Sequence, residues 1–479
     1  MSTLWTSSDI ETATGGVASH PFEADGLSID TRTLVPGDLF IALKVARDGH
    51  DFLAAAFEGG AAGALVTHRP EGLADDFPLV LVEDVQAALE ALGRAGRTRT
   101  QAKVLGITGS VGKTSTKEML RTVLERQGRV HVPEASYNNQ WGVPLTLARM
   151  PVETDYAVIE IGMNNPGEIA PLSRMSDLDV ALITTVAPAH LAAFESVEGI
   201  AREKASIFEG LRAGGRAIVN ADIETTPILV EAAKAAGAEA IFFGETGRDW
   251  RLTDLRLSDA ATVLQAEHGG EDWLFKLSVP GPHFAMNALG ALAAVEALGA
   301  DAGRAAQDLA RWQPYEGRGT RETLILDDAE EGLSFDLIDD AFNANPASVE
   351  AGLAVLAAAS PRDGIGRIGR GRRIAILGDM LELGQTEEAL HRDIAALPSV
   401  AQIDLIHCVG PLMKALHATL PEVKRGRWCE TSEELATVAR TLVDAGDVVL
   451  VKGSKSIKLP RVVDALRKLG HPGPQNEER

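Results

Sequence analysis

The chain has 479 residues, 45% of them apolar and 24% charged, which is ordinary for a folded globular protein and excludes disorder as its main state. Lys and Arg number 46 against 68 Asp and Glu, so the net charge is −22. This excludes a general nucleic-acid or anionic-membrane binder, because phosphate contacts need clustered cations. Two cysteines, Cys408 and Cys429, are too few for a disulfide scaffold or a cysteine zinc site and fit a reducing, cytoplasmic setting. Residues 1–9 lack the pattern of a signal peptide, and no run of about 18 apolar residues reads as a membrane span.

The short apolar runs 39–43, 64–67 and 79–82 read as strands, and the Ala-rich stretch 51–58, closed by Gly59-Gly60, reads as a helix. Residues 87–100 look like a helix leading out of this unit. A buried strand is expected over 104–108, then a Gly-rich turn and a helix over 114–127 with Met119, Leu120, Val123 and Leu124 on one face. Further strands at 156–161, 180–186 and 217–220 imply a mainly parallel sheet covered on both faces. Residues 250–280 alternate in the manner of an antiparallel appendix, and 287–300 read as a buried helix. The pattern breaks at Gln313-Pro314 and Gly317-Arg318-Gly319. Beyond it, strands at 334–339, 373–377, 405–409 and 448–451 suggest a second doubly wound domain, without the Gly pattern of a dinucleotide site. The Gly/Arg-rich segment 360–373 reads as a solvated loop, and the tail past Gly470 as disordered. The expected class is α/β in three domains. A small α/β unit spans 1–100, a central mainly parallel sheet of P-loop ATPase type spans 101–313, and a Rossmann-like doubly wound domain spans 314–479.

The strongest chemical signal is Gly106-Ile107-Thr108-Gly109-Ser110-Val111-Gly112-Lys113-Thr114, set between an expected strand and an expected helix. Small residues let backbone N–H groups curl around phosphate oxygens, and the helix N-terminus adds its partial positive charge. In this reading Gly109, Ser110, Val111, Gly112 and Ser115 form the cradle. Lys113 reaches the β- and γ-phosphates, and the Thr114 hydroxyl ligates Mg2+. No Asn-Lys-x-Asp guanine signature follows, which favours ATP over GTP. The competing reading is an ordinary Gly-rich turn. Glu160, at the C-terminal end of a strand next to the loop strand in sequence order, has the position of an acid that can hold Mg2+ against the β- and γ-phosphates.

This loop is accompanied by Asp30-Thr31-Arg32, Asp48-Gly49-His50-Asp51-Phe52, Asn138-Asn139 with Gly142-Val143-Pro144-Leu145-Thr146, Glu160-Ile161-Gly162-Met163 and Ala189-His190-Leu191. Phe342-Asn343-Ala344-Asn345-Pro346, Gly378-Asp379-Met380-Leu381-Glu382 and Lys452-Gly453-Ser454-Lys455-Ser456 follow. Together these segments resemble the Mur ligase family of ATP-dependent amide-bond-forming ligases over nearly the whole chain. The resemblance implies ATP and Mg2+ as cofactors and UDP-N-acetylmuramoyl-tripeptide and D-alanyl-D-alanine as the joined substrates. No nucleic-acid partner and no membrane insertion are implied, and the chain is expected to act as a monomer.

The resemblance also implies site roles. Lys113, Glu160, His190 and Lys204 would be catalytic, with Thr114, Glu160, His190 and Lys204 around the metal. From the residues alone, Lys204 reads as a solvated helix lysine; the family implies that it carries a carbamate. Asn287, Arg318, Asp340 and Asn343 would contact the nucleotide, while Asn345 before Pro346 is equally suited to cap a helix. Thr31, Arg32, Asp48, His50, Asn138, Asn139 and Thr146 would meet the UDP-sugar-peptide, and Lys455 the acceptor dipeptide or acyl group. The reaction implied is phosphorylation of a carboxylate by ATP followed by attack of an amine on the acyl phosphate. A slow ATP-hydrolysing switch protein, or another ligase of the same type, is the rival.

Overall fold

In the computed structural model the apolar runs resolve into three large sheets; the structure describes residues 3–189, 191–327 and 332–473. The first sheet has five strands, in the spatial order Val17–Ala18, Leu79–Leu81, Gly63–Val66, Asp38–Ile41 and Gly26–Ser28. Its middle strands are buried along their whole length, as suits parallel strands covered on both faces. The helix Val85–Thr98 follows, begun by Asp84, whose carboxylate accepts the Ala87 N–H at 2.9 Å. It packs on the helix Gly142–Ala148 through Gly93 and Gly96. A Cβ at Gly93 would stand 2.9 Å from Pro144 Cα, so only glycine permits this approach.

The central sheet has nine strands. Lys103–Thr108 lies in its parallel part, between Leu178–Ile183 and Tyr156–Glu160. Residues 250–277 do alternate, but they form no separate layer. Trp250–Leu257 pairs in parallel with Glu239–Gly244, and two antiparallel strands then extend the same sheet. One face packs Leu105 and Ile107 against Met119, Leu120 and Val123 of the helix Lys113–Leu124 and against Leu289 and Leu292 of the helix Pro282–Ala297. The other face buries Val104, Ile159 and Leu172. The strand expected to reach 186 stops at Ile183, because Thr184 and Thr185 turn to hold the loop described below.

The third sheet has seven strands, with Val448–Lys452 between Arg373–Gly378 and Ser334–Asp340. Its two faces carry separate apolar cores, which is the doubly wound arrangement. The chain does not lose order at Gly470: His471–Pro472 pairs with Thr320–Ile325, supplying partners to that strand's free edge. Residues 474–479 lie outside the described residues. In the segment 360–373, Arg367, Arg370 and Arg372 are paired with Asp444, Asp404 and Asp447 of the same domain. Among the described residues no helix is long and apolar enough to cross a membrane.

Candidate active site

The C-terminal ends of the central strands face the third sheet across a cleft of about 450 Å³. Gly109 and Gly112 carry φ of 154° and 87°, and the second lies in the left-handed region that favours glycine. The loop between them is fastened to the segment after Leu178–Ile183. The Ser110 N–H donates to Thr185 O at 2.9 Å, the Ser110 hydroxyl to Ala187 O at 2.9 Å, and the Thr184 hydroxyl to Val111 O at 2.6 Å. The helix Lys113–Leu124 then begins with no side-chain cap, leaving the N–H groups of Lys113, Thr114 and Ser115 without intrahelical partners and open to an anion. Lys113 Nζ folds back to donate to Gly109 O at 2.6 Å. Burial pushes its ammonium below the usual lysine range; Glu160 opposes this, and Arg318 adds to it.

Glu160 ends the strand beside the loop strand and is 1% exposed. It accepts the Thr114 hydroxyl at 3.2 Å and the Asn138 amide at 2.9 Å, so its carboxylate is aimed at the helix start. Among the described residues no group of three or more His, Cys, Asp or Glu forms a metal cage. One buried carboxylate and one hydroxyl still fit Mg2+, which keeps waters and takes substrate phosphates as ligands. His190, expected at the metal, lies outside the described residues.

Lys204 is 2% exposed, not solvated as its residue type suggested. The helix Val197–Ala205 turns Ile200, Ala201, Lys204 and Ala205 to the interior, and the lysine follows that apolar stripe. Burial, with the charge of Lys113 second, puts its ammonium well below the usual range, against a favourable contribution from Glu203.

The opposite wall comes from the segment entering the third sheet and from its strand ends. Arg318 stacks over the Phe342 ring at 3.8 Å, and its Nε is buried without a partner. Burial lowers its guanidinium, opposed by Glu160 and Asp340. Asp340 pairs with Lys452 Nζ at 2.7 Å, and the same ammonium donates to Asn343 O at 3.0 Å. Burial raises the Asp340 carboxyl, while Lys452 and then Arg318 hold it down. Asn287, on Pro282–Ala297, abuts Gly112; a Cβ on that glycine would stand 2.5 Å from Asn287 Oδ1. Asn345 caps Pro346–Ala358, its side chain accepting from the Ser348 N–H at 2.9 Å, and also lines the cleft.

The cleft thus gathers Ser110 to Ser115, Asn138, Asn139, Glu160, Asn287, Arg318, Asp340 and Asn343. Asn139 is partly committed to the fold, accepting the Gly142 N–H at 2.9 Å. Thr146 is buried, and its hydroxyl is spent on Gly142 O at 2.8 Å. Lys455 stands at the rim, 5.8 Å from the Phe342 ring. Thr31 and Arg32 lie in the turn after Gly26–Ser28, with Arg32 paired to Asp30. Asp48 and His50 line a separate cavity of about 350 Å³ in the first unit. There His50 Nδ1 meets Asp48 at 2.6 Å and its Nε2 accepts the Thr67 N–H at 3.0 Å, so the ring is satisfied within the protein. Thr184, Thr185, Ser136, His283 and Phe342 also line the main cleft and were given no site role from the sequence. They come from loops and helix starts, and only the Phe-Asn-Ala-Asn-Pro run and Asn287 pointed near them.

The architecture is that of a phosphate-loop nucleotide-binding protein whose cleft is closed by a second doubly wound sheet. Residues 107–295 match the Mur ligase middle domain, and 328–455 match the Mur ligase, glutamate ligase domain. The UDP-N-acetylmuramoyl-tripeptide--D-alanyl-D-alanine ligase of Bacillus subtilis is 34% identical over 465 residues, covering 95% of this chain and 96% of the relative. The crystal structure of MurF from Acinetobacter baumannii superposes with a TM-score of 0.82 at 29% identity, covering 97% of this chain and 99% of that one. MurF ligase from Thermotoga maritima in complex with ADP gives 0.76 at 25% identity, covering 93% and 97%. The chain belongs to the Mur ligase family.

Proposed function

We propose that the protein is an ATP-dependent ligase that joins D-alanyl-D-alanine to the free carboxylate of UDP-N-acetylmuramoyl-tripeptide, in peptidoglycan precursor synthesis. The observation that carries this reading is the uncapped start of Lys113–Leu124, with Glu160 on the neighbouring strand and Arg318 and Asp340 across the cleft. The near-full-length likeness to ligases of that name supports the substrates, and the ADP-bound relative supports ATP.

The tripeptide carboxylate attacks the γ-phosphorus of ATP, forming an acyl phosphate and releasing ADP. The amine of D-alanyl-D-alanine then adds to the acyl carbon, and the tetrahedral adduct collapses to the amide with loss of phosphate and a proton. Lys113 and the N–H groups of Lys113 to Ser115 balance charge on the phosphates, and Arg318 holds the nucleotide from the opposite wall. Holding the reactants in line removes about 7–11 kcal/mol of barrier. Thr114 and Glu160 would hold Mg2+, joined by His190 and the modified Lys204 as the resemblance implies, and the ion would supply further neutralisation at the phosphates.

Lys204 is carbamylated in this reading. A buried lysine with a lowered pKa is more readily the neutral amine that adds to CO2, releasing a proton and leaving an anion within reach of the Lys113 charge. Rescue of inactive Lys204→Ala by formate or acetate tests it; an unrescued variant with full activity rejects it. The unit 1–100 holds the UDP-sugar end, 101–313 holds ATP, and 314–479 closes over ATP and takes the dipeptide near Lys455. One chain's residues complete the cleft, in keeping with a cytoplasmic monomer whose Cys408 and Cys429 are unpaired.

Phosphate release from ATP is the deciding assay. It should require both UDP-N-acetylmuramoyl-tripeptide and D-alanyl-D-alanine. Release that ignores the dipeptide rejects the reading in favour of a switch protein or another ligase.

A further inference from the structure

Lys117 is 1% exposed and has no part in the account above. It lies in the helix Lys113–Leu124, three residues after Thr114, so the two side chains share a face. Both meet the segment that runs from the strand Val130–His131 to Asn138. The Thr114 hydroxyl lies 3.5 Å from that of Ser136, and Lys117 Nζ donates to Pro133 O at 2.9 Å. Arg121, one turn further on, reaches the same carbonyl at 3.3 Å. The buried ammonium is balanced by the Glu118 carboxylate at 2.9 Å, without which its desolvation would be prohibitive.

The segment is the support of Glu160. The Asn138 amide donates to the Glu160 carboxylate at 2.9 Å, and Asn138 O accepts the Gly162 N–H at 2.7 Å. Glu160 in turn accepts the Thr114 hydroxyl at 3.2 Å. The contacts close a ring that runs from the helix to the segment, on to the strand end, and back to the helix. Residues 132–141 form neither helix nor strand, so anchors rather than a ladder fix their position. An ammonium on a carbonyl is a charge-assisted bond, stronger than a neutral one. Pro133 has a fixed φ, so holding its carbonyl also sets the direction in which the chain leaves it. Packing alone would place an apolar residue here, as it does at Leu120 and Val123 of the same helix. A lysine costs rotamer freedom and desolvation at such a position, and the Pro133 carbonyl accounts for its presence.

We propose that Lys117 is a positioning residue for the metal: by holding Pro133 O it keeps Asn138 where its amide aims the Glu160 carboxylate at the helix start. It acts through Asn138 and not on the nucleotide, a task distinct from the phosphate grip of Lys113. The proposal rests on the reading that Glu160 holds Mg2+ beside bound ATP.

Calorimetric titration of the full chain with β,γ-imido-ATP, once in EDTA and once in Mg2+, tests it. The ratio of the two dissociation constants is the advantage that the metal confers. In Lys117→Met that advantage should fall about tenfold, while binding in EDTA stays within about twofold of the parent. Lys117→Gln, which keeps an N–H donor, should retain part of it. The double variant Lys117→Met/Asn138→Leu should lose no more than Asn138→Leu alone, to within about twofold, because both changes act through the aim of Glu160. Glu160→Gln marks the full loss. If Lys117→Met does not fold, Lys117→Gln carries the comparison. A Lys117 variant that melts lower yet keeps the parent's metal advantage holds the fold alone and overturns the proposal, as do losses that multiply in the double variant. If Glu160→Gln also keeps the advantage, the reading of Glu160 fails and the proposal with it, whereas loss in Glu160→Gln without loss at Lys117 overturns the proposal alone. A parent that does not bind the analogue overturns the ATP reading and everything built on it.

Discussion

Replacing Lys113 by methionine removes a charge while keeping most of the side-chain volume. In the structure Nζ spends one of its three N–H groups on Gly109 O at 2.6 Å, which leaves two for phosphate oxygens. Removing one such preorganised donor costs about 10²–10³ in rate, or roughly 3–4 kcal/mol of transition-state stabilisation. The turnover of ATP in the presence of both other substrates should fall by that factor. The stability of the ligand-free protein should move the opposite way. Burial lowers the Lys113 pKa, and Arg318 adds repulsion that Glu160 only partly offsets. For a lysine with a lowered folded-state pKa, the unfolded chain binds the proton more tightly. The folded state is then penalised fully below the folded pKa, and the penalty fades as pH rises through the unfolded value. At pH 7–8 Lys113→Met should therefore melt no lower than the parent, and its advantage should shrink toward pH 11. Coupled phosphate release and thermal melts from pH 7 to 11 read both effects. A variant that keeps more than about a tenth of the parent rate, or that melts several degrees lower, refutes the assignment of Lys113 as a strained phosphate-gripping cation.

Asn138→Leu removes the amide that orients Glu160 at 2.9 Å and should raise the Mg2+ concentration for half-maximal activity by about 10–100-fold, read by Mg2+ titration. Asn345→Ala deletes a helix cap and should cost about 1 kcal/mol, or about 2–4 °C in melting temperature, with Asn345→Ser restoring most of it. Burial pushes His407 down to about 4, and this residue is 3% exposed. Between pH 6.5 and 4 the unfolded chain takes up a proton there that the folded chain refuses, so stability is lost with acidification by up to about 3 kcal/mol. His407→Gln should flatten the melting profile over that window; an unchanged slope would count against the buried neutral imidazole.

The loop strand and its helix were legible because the glycine spacing, the apolar face of 119–124 and the flanking strand all favour one local structure. Glu160 was legible for the same reason, since a strand's C-terminal end in a parallel sheet is a position that sequence order alone defines. Lys204 was not. Residue type favours solvent, and only its place in the stripe with Ile200 and Ala201 hints that tertiary packing overrides that preference. Thr184 and Thr185 were read as strand because they continue a β-branched run, yet their backbone and hydroxyl groups leave the ladder to fasten the phosphate loop. Thr146 lies in a segment that carries the family resemblance, and its hydroxyl donates within its own helix. In each case the missing information is which hydrogen bond a side chain makes, and that is decided by neighbours distant in sequence.

The charge distribution accounts for the position of Lys204. A chain of net charge −22 brings Lys113, Arg318 and Lys452 to one cleft, with Lys204 buried within reach of the Lys113 charge. The two carboxylates nearest them are partly engaged, Glu160 by Thr114 and Asn138, and Asp340 by Lys452. Lys113 is repelled by Arg318 and Lys204 by Lys113, so the fold holds these cations at a cost. A sequence optimised for the fold alone would not bury Lys204 on an apolar stripe or leave the Arg318 Nε unpaired. A triphosphate entering between the two walls supplies the negative charge that this arrangement lacks, and each repulsion in the free protein becomes a gain in binding. That is why the neutral variant at Lys113 is expected to stabilise the empty fold while disabling it: the same uncompensated charge that weakens the free protein is what grips the phosphates.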